Sequence, residues 1–352
     1  GVYGSLDAGT STIVFIQLLI AGIVLMLLDE MVQKGWGIGS GISLFILAGV
    51  TQHVLWDSLG PTPPMQDGNS RGAFIALAQI IPRVMSRSSI MSGGNPIGTW
   101  SWLNIFVRPV DPTLPAMLGF ITTVAVFLIV IYAEGVRVEL PVSYASYRGF
   151  RGKYPIKLLY VSNIPVILAS ALFADVYLLA NIINSSPAIS STVIGGIVGK
   201  FNGSQPVSGL VYYITPPRTL DQIAANPLHA LVYLAILIAI CIAFSMTWLS
   251  VSGMDAQSVA TQLVDSGVLV PGFRRATQPI TALLSKYIPT VTVLGGLLVG
   301  LIAAFGDFLG VYGTGTGILL SVGIIYQYYE IIMRERIAEL HPGLERFLGG
   351  KA

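Results

Sequence analysis

Apolar residues in this chain gather into long blocks. Seven runs of roughly the length a helix needs to cross a hydrocarbon core lie at 12–28, 38–56, 116–136, 161–184, 228–250, 288–310 and 314–333. The first run is short but uncharged, and the second opens on a cluster of glycines. The stretches 57–115, 186–227 and 251–286 are too polar or too rich in Pro and Gly to span. Pro61, Pro63 and Pro64, then Ser92-Gly93-Gly94-Asn95-Pro96, predict an irregular course for the first of them. Residues 254–268, with Asp255, Val259, Gln262 and Leu263, read as a short amphipathic helix outside the bilayer. In 161–184 the pair Ser162-Asn163 and Pro165 predict a helix interrupted within its first turns. Such groups are costly in lipid unless they face protein or water.

Composition agrees: 53% of residues are hydrophobic and only 10% charged, against roughly 25% charged in a soluble domain. The expectation is an all-α integral membrane protein. The net charge of +2 says little, but its placement gives sidedness. Thirteen of the 19 Lys and Arg fall in 29–37, 137–160, 251–287 and the C-terminal tail. The other six (Arg71, Arg83, Arg87, Arg108, Lys200 and Arg218) are spread over longer connections. The positive-inside rule then puts the C-terminus in the cytoplasm and the N-terminus outside.

Candidate chemistry is sparse. Cys241, the single cysteine, lies in an apolar run and reads as a core thiol, which leaves no disulfide within the chain and no cysteine metal site. His53, His229 and His341 have no metal-ligand spacing. Asp175 and Asp307 are acids near the external ends of their segments. No acid chain links them, and both are expected to stay hydrated rather than to couple transport. A retinal protein of the same helix count needs a lysine inside the last helix, and 314–333 contains none.

Two glycine clusters, Gly37-Ile38-Gly39-Ser40-Gly41-Ile42 and Gly313-Thr314-Gly315-Thr316-Gly317-Ile318, carry more. Each opens a membrane helix, where a phosphate loop would need a strand before it. Glycines at this spacing permit an unusual turn and close backbone approach. The clusters are alike yet fall on opposite sides of the membrane, as in an inverted repeat whose last helix they open in each half. Counting back gives a five-helix half over 116–352, and only the last two helices of the other half over 1–56. The chain is therefore expected to be a fragment that lacks three helices.

The chain resembles the SecY-type pore subunit of the Sec protein-conducting channel, in its archaeal and eukaryotic branch. The matching stretches are Leu27-Leu28-Asp29-Glu30 with Gly37–Ile46, and Tyr132-Ala133-Glu134-Gly135-Val136-Arg137-Val138-Glu139-Leu140-Pro141. They continue with Tyr154-Pro155-Ile156-Lys157, Ser162-Asn163-Ile164-Pro165, Asn226-Pro227-Leu228-His229-Ala230, Tyr287-Ile288-Pro289 and Gly315-Thr316-Gly317-Ile318-Leu319-Leu320. The resemblance implies a ten-helix channel, with these helices as its fourth to tenth. It implies a subunit without catalysis or cofactor that passes unfolded polypeptides and releases membrane segments laterally. An apolar pore ring would include Ile42, Ile46, Ile167 and Leu320, and a lateral gate would hinge near Ser162, Asn163 and Pro165. Arg148 and Arg274 would contact the ribosome from cytoplasmic loops 137–160 and 251–287, with 57–115 an external loop and 334–352 a cytoplasmic tail. The implied partners are small single-span SecE-type and beta-type subunits, the ribosome, the nascent polypeptide and lipid, with no DNA. The implied place is the cell membrane of an archaeon rather than the endoplasmic reticulum. The alternatives are an inverted-repeat secondary transporter with a saturable polar site and a structural scaffold.

Overall fold

The computed structural model describes residues 7–36, 40–65, 67–86, 88–92, 95–108, 110–111, 114–144, 151–161, 164–185, 196, 198–202, 205–265, 268–269 and 277–340. Among the described residues, seven helices are long and apolar enough to cross a membrane. They are α1 (Ala8–Met31), α2 (Gly41–Leu59), α4 (Met117–Gly135), α5 (Ile164–Ser185), α8 (Pro227–Val251), α10 (Thr277–Phe308) and α11 (Gly315–Leu340). The short helices are α3 (Ala73–Met85), α6 (Leu210–Ile214), α7 (Leu220–Ala225) and α9 (Ala256–Asp265). Each apolar run thus yields one helix, and the amphipathic helix expected at 254–268 is α9.

Helix boundaries differ from the sequence expectation in two instructive places. Helix α10 begins at Thr277, well inside the stretch expected to be loop, and runs 32 residues with Pro289 in its interior. At 1.5 Å per residue it is about 48 Å long, well beyond a hydrocarbon core of about 30 Å. The first turns hold as helix because Ile280, Leu284, Ile288 and Val291 form a buried stripe. Helix α5 begins at Ile164, so Pro165 is its second residue. A proline there forfeits no intrahelical hydrogen bond, and it starts the helix rather than breaking it.

The connections are more ordered than expected. They contain three short antiparallel sheets: β1 (Ser89–Ser92) with β2 (Asn95–Thr99), β5 (Lys200–Asn202) with β6 (Gln205–Ser208), and a three-stranded sheet of order β4-β3-β7. In the last, β3 (Arg137–Tyr144) pairs β4 (Arg151–Lys157) from Arg137↔Lys157 to Ser143↔Arg151, and β7 (Val268–Leu269) pairs the end of β3.

Chain contacts divide the protein into two compact units, 1–52 with 324–352, and 53–323. In the larger unit α8 and α10 lie against each other through small residues. A Cβ at Gly296 would stand 2.6 Å from Ser245 Oγ, and one at Gly300 3.2 Å from Ile238 Cα, so these glycines let the two backbones approach. Cys241 is fully buried in this packing, as its apolar setting predicts. Ile156, Val161, Leu249, Val259, Ala260, Ile280, Leu284, Ile288 and Val291 form one core. Tyr160 donates its hydroxyl to Met254 O at 3.1 Å across the same region. Elsewhere in the larger unit, α3 places Ala76, Ile80 and Val84 against Ile90 of β1 and Trp100, which follows β2. Phe74 meets Phe120 of α4 edge-on at 4.8 Å.

Candidate functional site

Helix α2 carries Ile42 and Ile46 four residues apart, hence on one face, and both are exposed, at 51% and 36%. In the larger unit, Ile167 is 40% exposed on α5, while Val166 and Ala169 beside it are fully buried. The exposed positions 167, 171, 174 and 178 make one stripe along α5. Leu320 is half-buried on α11, next to the fully buried Leu319. All four are aliphatic. Such side chains leave a passing chain nothing to hydrogen-bond, and a constriction made of them excludes water by dewetting. Pro165 is buried at the start of α5, and Ser162 and Asn163 lie outside the described residues.

Each glycine cluster sits under an aspartate from the end of the preceding helix. Asp29, near the end of α1, accepts through Oδ1 from the backbone N–H of Ile42 at 2.9 Å and from Ser40 Oγ at 3.2 Å. Its Oδ2 accepts from Gln33 Nε2 at 2.7 Å. Asp307, near the end of α10, accepts through Oδ1 from Gly315 N–H at 2.8 Å and through Oδ2 from the Tyr233 hydroxyl at 3.0 Å. The expectation that Asp307 stays hydrated is corrected here: it is 7% exposed, and its carboxyl oxygens are met by these donors instead of water. Asp175 is exposed. Asp29 had no role in the sequence reading. The available signal was an acid at the end of the helix ahead of each glycine cluster, in Leu28-Asp29 and Gly306-Asp307.

Close approach explains the glycines. A Cβ at Gly41 would lie 2.9 Å from Asp29 Cα, and one at Gly315 only 2.2 Å from Ala303 O. The turn into α11 also uses left-handed backbone at Gly313 (φ 74°) and at Thr314 (φ 77°). Thr314 is the one non-glycine residue with positive φ among the described residues. Its Oγ1 accepts from Gly317 N–H at 3.1 Å, which helps to hold that conformation.

The three-stranded sheet borders the segments 145–150 and 270–276. The segment 145–150 connects β3 to β4, and 270–276 follows β7, which pairs through Tyr144↔Val268 and Ser143↔Leu269. Arg148 and Arg274 themselves lie outside the described residues. The sheet is tied to the helices by Ile156 of β4, which is fully buried in the core shared with α10.

Outside the spans, Arg108 is 1% exposed and bonds Asp67 Oδ2 at 3.3 Å and the carbonyls of Ser70 and Arg71 at 2.8 Å each. Burial lowers its pKa, and the Asp67 carboxylate opposes that shift. Arg71 pairs with Asp57 at 3.0 Å. His229 stacks on Tyr212 at 4.1 Å and bonds its carbonyl at 2.7 Å. No group of His, Cys, Asp and Glu fit to hold a metal occurs among the described residues.

The SecY family profile matches residues 2–329. The chain belongs to the SecY family. It is 40% identical over 351 residues to the protein translocase subunit SecY of Pyrococcus horikoshii, covering 97% of this chain and 69% of the relative. A solved protein-conducting channel superposes with a TM-score of 0.73 at 36% identity, over 96% of this chain and 68% of that one. Sec61 of the canine ribosome-channel complex from the endoplasmic reticulum matches with a TM-score of 0.70 at 35% identity, over 96% and 68%. As in other SecY proteins, the frame is a multi-pass helical membrane protein.

Proposed function

We propose that this SecY-family chain is the pore-forming subunit of a protein translocation channel, passing unfolded polypeptides across the membrane and releasing membrane segments into lipid. The observation that carries the reading is the family match over residues 2–329, together with a fold shared with a protein-conducting channel. Its seven spans take the places of the fourth to tenth helices of a ten-helix channel. In that scheme 1–56 closes the N-terminal half, 57–115 is external, and 116–352 is the C-terminal half with a cytoplasmic tail.

Ile42, Ile46, Ile167 and Leu320 supply part of the pore ring, which their aliphatic character supports. Ser162, Asn163 and Pro165 mark the gate hinge, supported by the start of α5 immediately behind Asn163. Arg148 and Arg274 contact the ribosome. The solved relative in the canine ribosome-channel complex and the common sheet beneath the two loops support that role. The same reading places the chain in an archaeal cell membrane with its C-terminus cytoplasmic, beside SecE-type and beta-type single-span subunits.

The test is crosslinking from a stalled nascent chain to probes at 42, 46 and 167 in the assembled channel. Crosslinks at these positions are expected. Their absence, with crosslinks appearing only at lipid-facing positions such as Met26 of α1 (71% exposed), would overturn the pore assignment.

A further inference from the structure

We infer that Asp29 and Asp307 are a matched pair of positioning residues, each fixing the entrance of a helix that carries part of the apolar ring. The inference rests on the pore reading but concerns residues outside the ring.

A helix begins with backbone N–H groups that have no partner within the helix. In most helices a side chain at the N-cap position satisfies one of them. Helix α11 has such a cap in Thr314, whose Oγ1 accepts from Gly317 N–H, but both α2 and α11 also take a carboxylate from the end of the helix before. Asp29 reaches across 13 positions to Ile42, the second residue of α2 and itself a ring position. Asp307 reaches across eight to Gly315, the first residue of α11, five residues ahead of Leu320. A charge-assisted bond of this kind is shorter and stronger than a neutral one, and it complements the positive end of the helix dipole.

A second, independent observation is steric. In both halves the glycine that starts the helix lies against the aspartate's own backbone. A Cβ at Gly41 would sit 2.9 Å from Asp29 Cα, and one at Gly315 2.8 Å from Asp307 N. Each aspartate is thus both the bonding partner and the contact surface of the next helix start. The two halves reach this end through different loops and different bonded positions. Third groups hold each carboxylate in turn: Gln33 and Ser40 for Asp29, Tyr233 for Asp307. The helix entrance therefore cannot shift without breaking a bond to a fixed acceptor, and the ring side chain cannot shift without the entrance. On this account the seal of the resting channel depends on two carboxylates that never touch the substrate.

The test uses the assembled translocation complex in proteoliposomes, reading ion leak through the resting channel alongside thermal stability. Loss of a cap shifts the balance between ordered and frayed helix start by roughly 5–30-fold, so Asp29→Ala and Asp307→Ala are each expected to raise leak on that scale. Asp29→Asn and Asp307→Asn keep an acceptor oxygen and are expected to restore most of the seal. Tyr233→Phe, which frees one carboxylate oxygen but preserves the packing, is expected to leak less than Asp307→Ala. Leu237→Ala, a cavity variant in α8, is expected to lower stability without leak. Leak at the wild-type level in both alanine variants, no rescue by asparagine, or equal leak in Leu237→Ala would each overturn the inference. The nascent-chain crosslinks to 42, 46 and 167 are read on the wild-type complex. If they are present while leak is unchanged, the positioning role fails alone; if they are absent, the pore reading itself fails.

Discussion

The carbonyl oxygen of Ala303 lies so close to Gly315 that a β-carbon on that glycine would stand 2.2 Å away. This is tighter than van der Waals contact, and the obstacle is backbone, which cannot rotate aside as a long side chain can. Gly306 faces the same crossing, with its Cβ position 2.6 Å from Gly315 Cα. The turn between α10 and α11 is therefore built around two hydrogen atoms where any other residue would put carbon.

Gly315→Ala is expected to separate the two helices at this turn and to weaken the Asp307 bond. Overpacking of this kind costs about 1–3 kcal/mol, and backbone obstacles lie at the upper end. A lowered unfolding temperature in detergent, with faster hydrogen exchange at 313–318 than elsewhere, checks it. An alanine variant as stable as the parent would show that the close approach is not required.

The buried pair Arg108–Asp67 gives a second expectation. Removing one partner leaves a charge without its counter-ion at a site where neither side chain reaches solvent, a loss of about 3–5 kcal/mol. Arg108→Met should therefore expose the external segment around 67–71 to proteolysis. The double variant Arg108→Met, Asp67→Leu should recover part of the loss, because no uncompensated charge remains. A double variant worse than the sum of the singles would contradict the argument.

Ile156 offers a cleaner way to separate the three-stranded sheet from the proposed pore. Its truncation to alanine removes a fully buried side chain from the core beneath β4, at about 2–5 kcal/mol. On the proposed function, ribosome binding weakens because the sheet loosens, while nascent-chain crosslinks at 167 persist once a chain is engaged. Equal loss of both would argue against the sheet acting as a separate platform.

Charge reversal at Arg148 and Arg274 addresses ribosome binding directly. Each arginine–phosphate pairing that reversal abolishes should flatten the slope of log affinity against log salt by about 0.7–0.9. If the two arginines serve topology alone, reversal leaves binding and its salt slope unchanged, and a scaffold with no ribosome partner gives the same result.

The membrane spans were legible because length and absence of charge are sufficient signals for lipid. The N-terminal extension of α10 was not. Gln278, Ser285 and Lys286 dilute the hydropathy of its first turns, although Ile280, Leu284 and Ile288 repeat at helical spacing. The β3 strand was hidden for a related reason: Val138, Leu140 and Val142 alternate, but Pro141 between them argues against a strand. Pore-ring positions could be named only through resemblance, since an exposed isoleucine toward a lumen and one toward lipid look alike in sequence. The aspartate caps left only the acid ahead of each glycine cluster as a signal, because the bond from Asp29 to Ile42 joins residues 13 apart across a turn.

The length of α10 has one more consequence. Its first turns are built into the core beneath the three-stranded sheet, and its penultimate residue, Asp307, holds the start of α11. One rod of about 48 Å therefore has both ends fixed, one in the sheet's foundation and the other in a helix cap. It works as a strut. A force applied to the sheet has a direct covalent path to the far side of the membrane, and Pro289 is the place along that path where the rod lacks a rung.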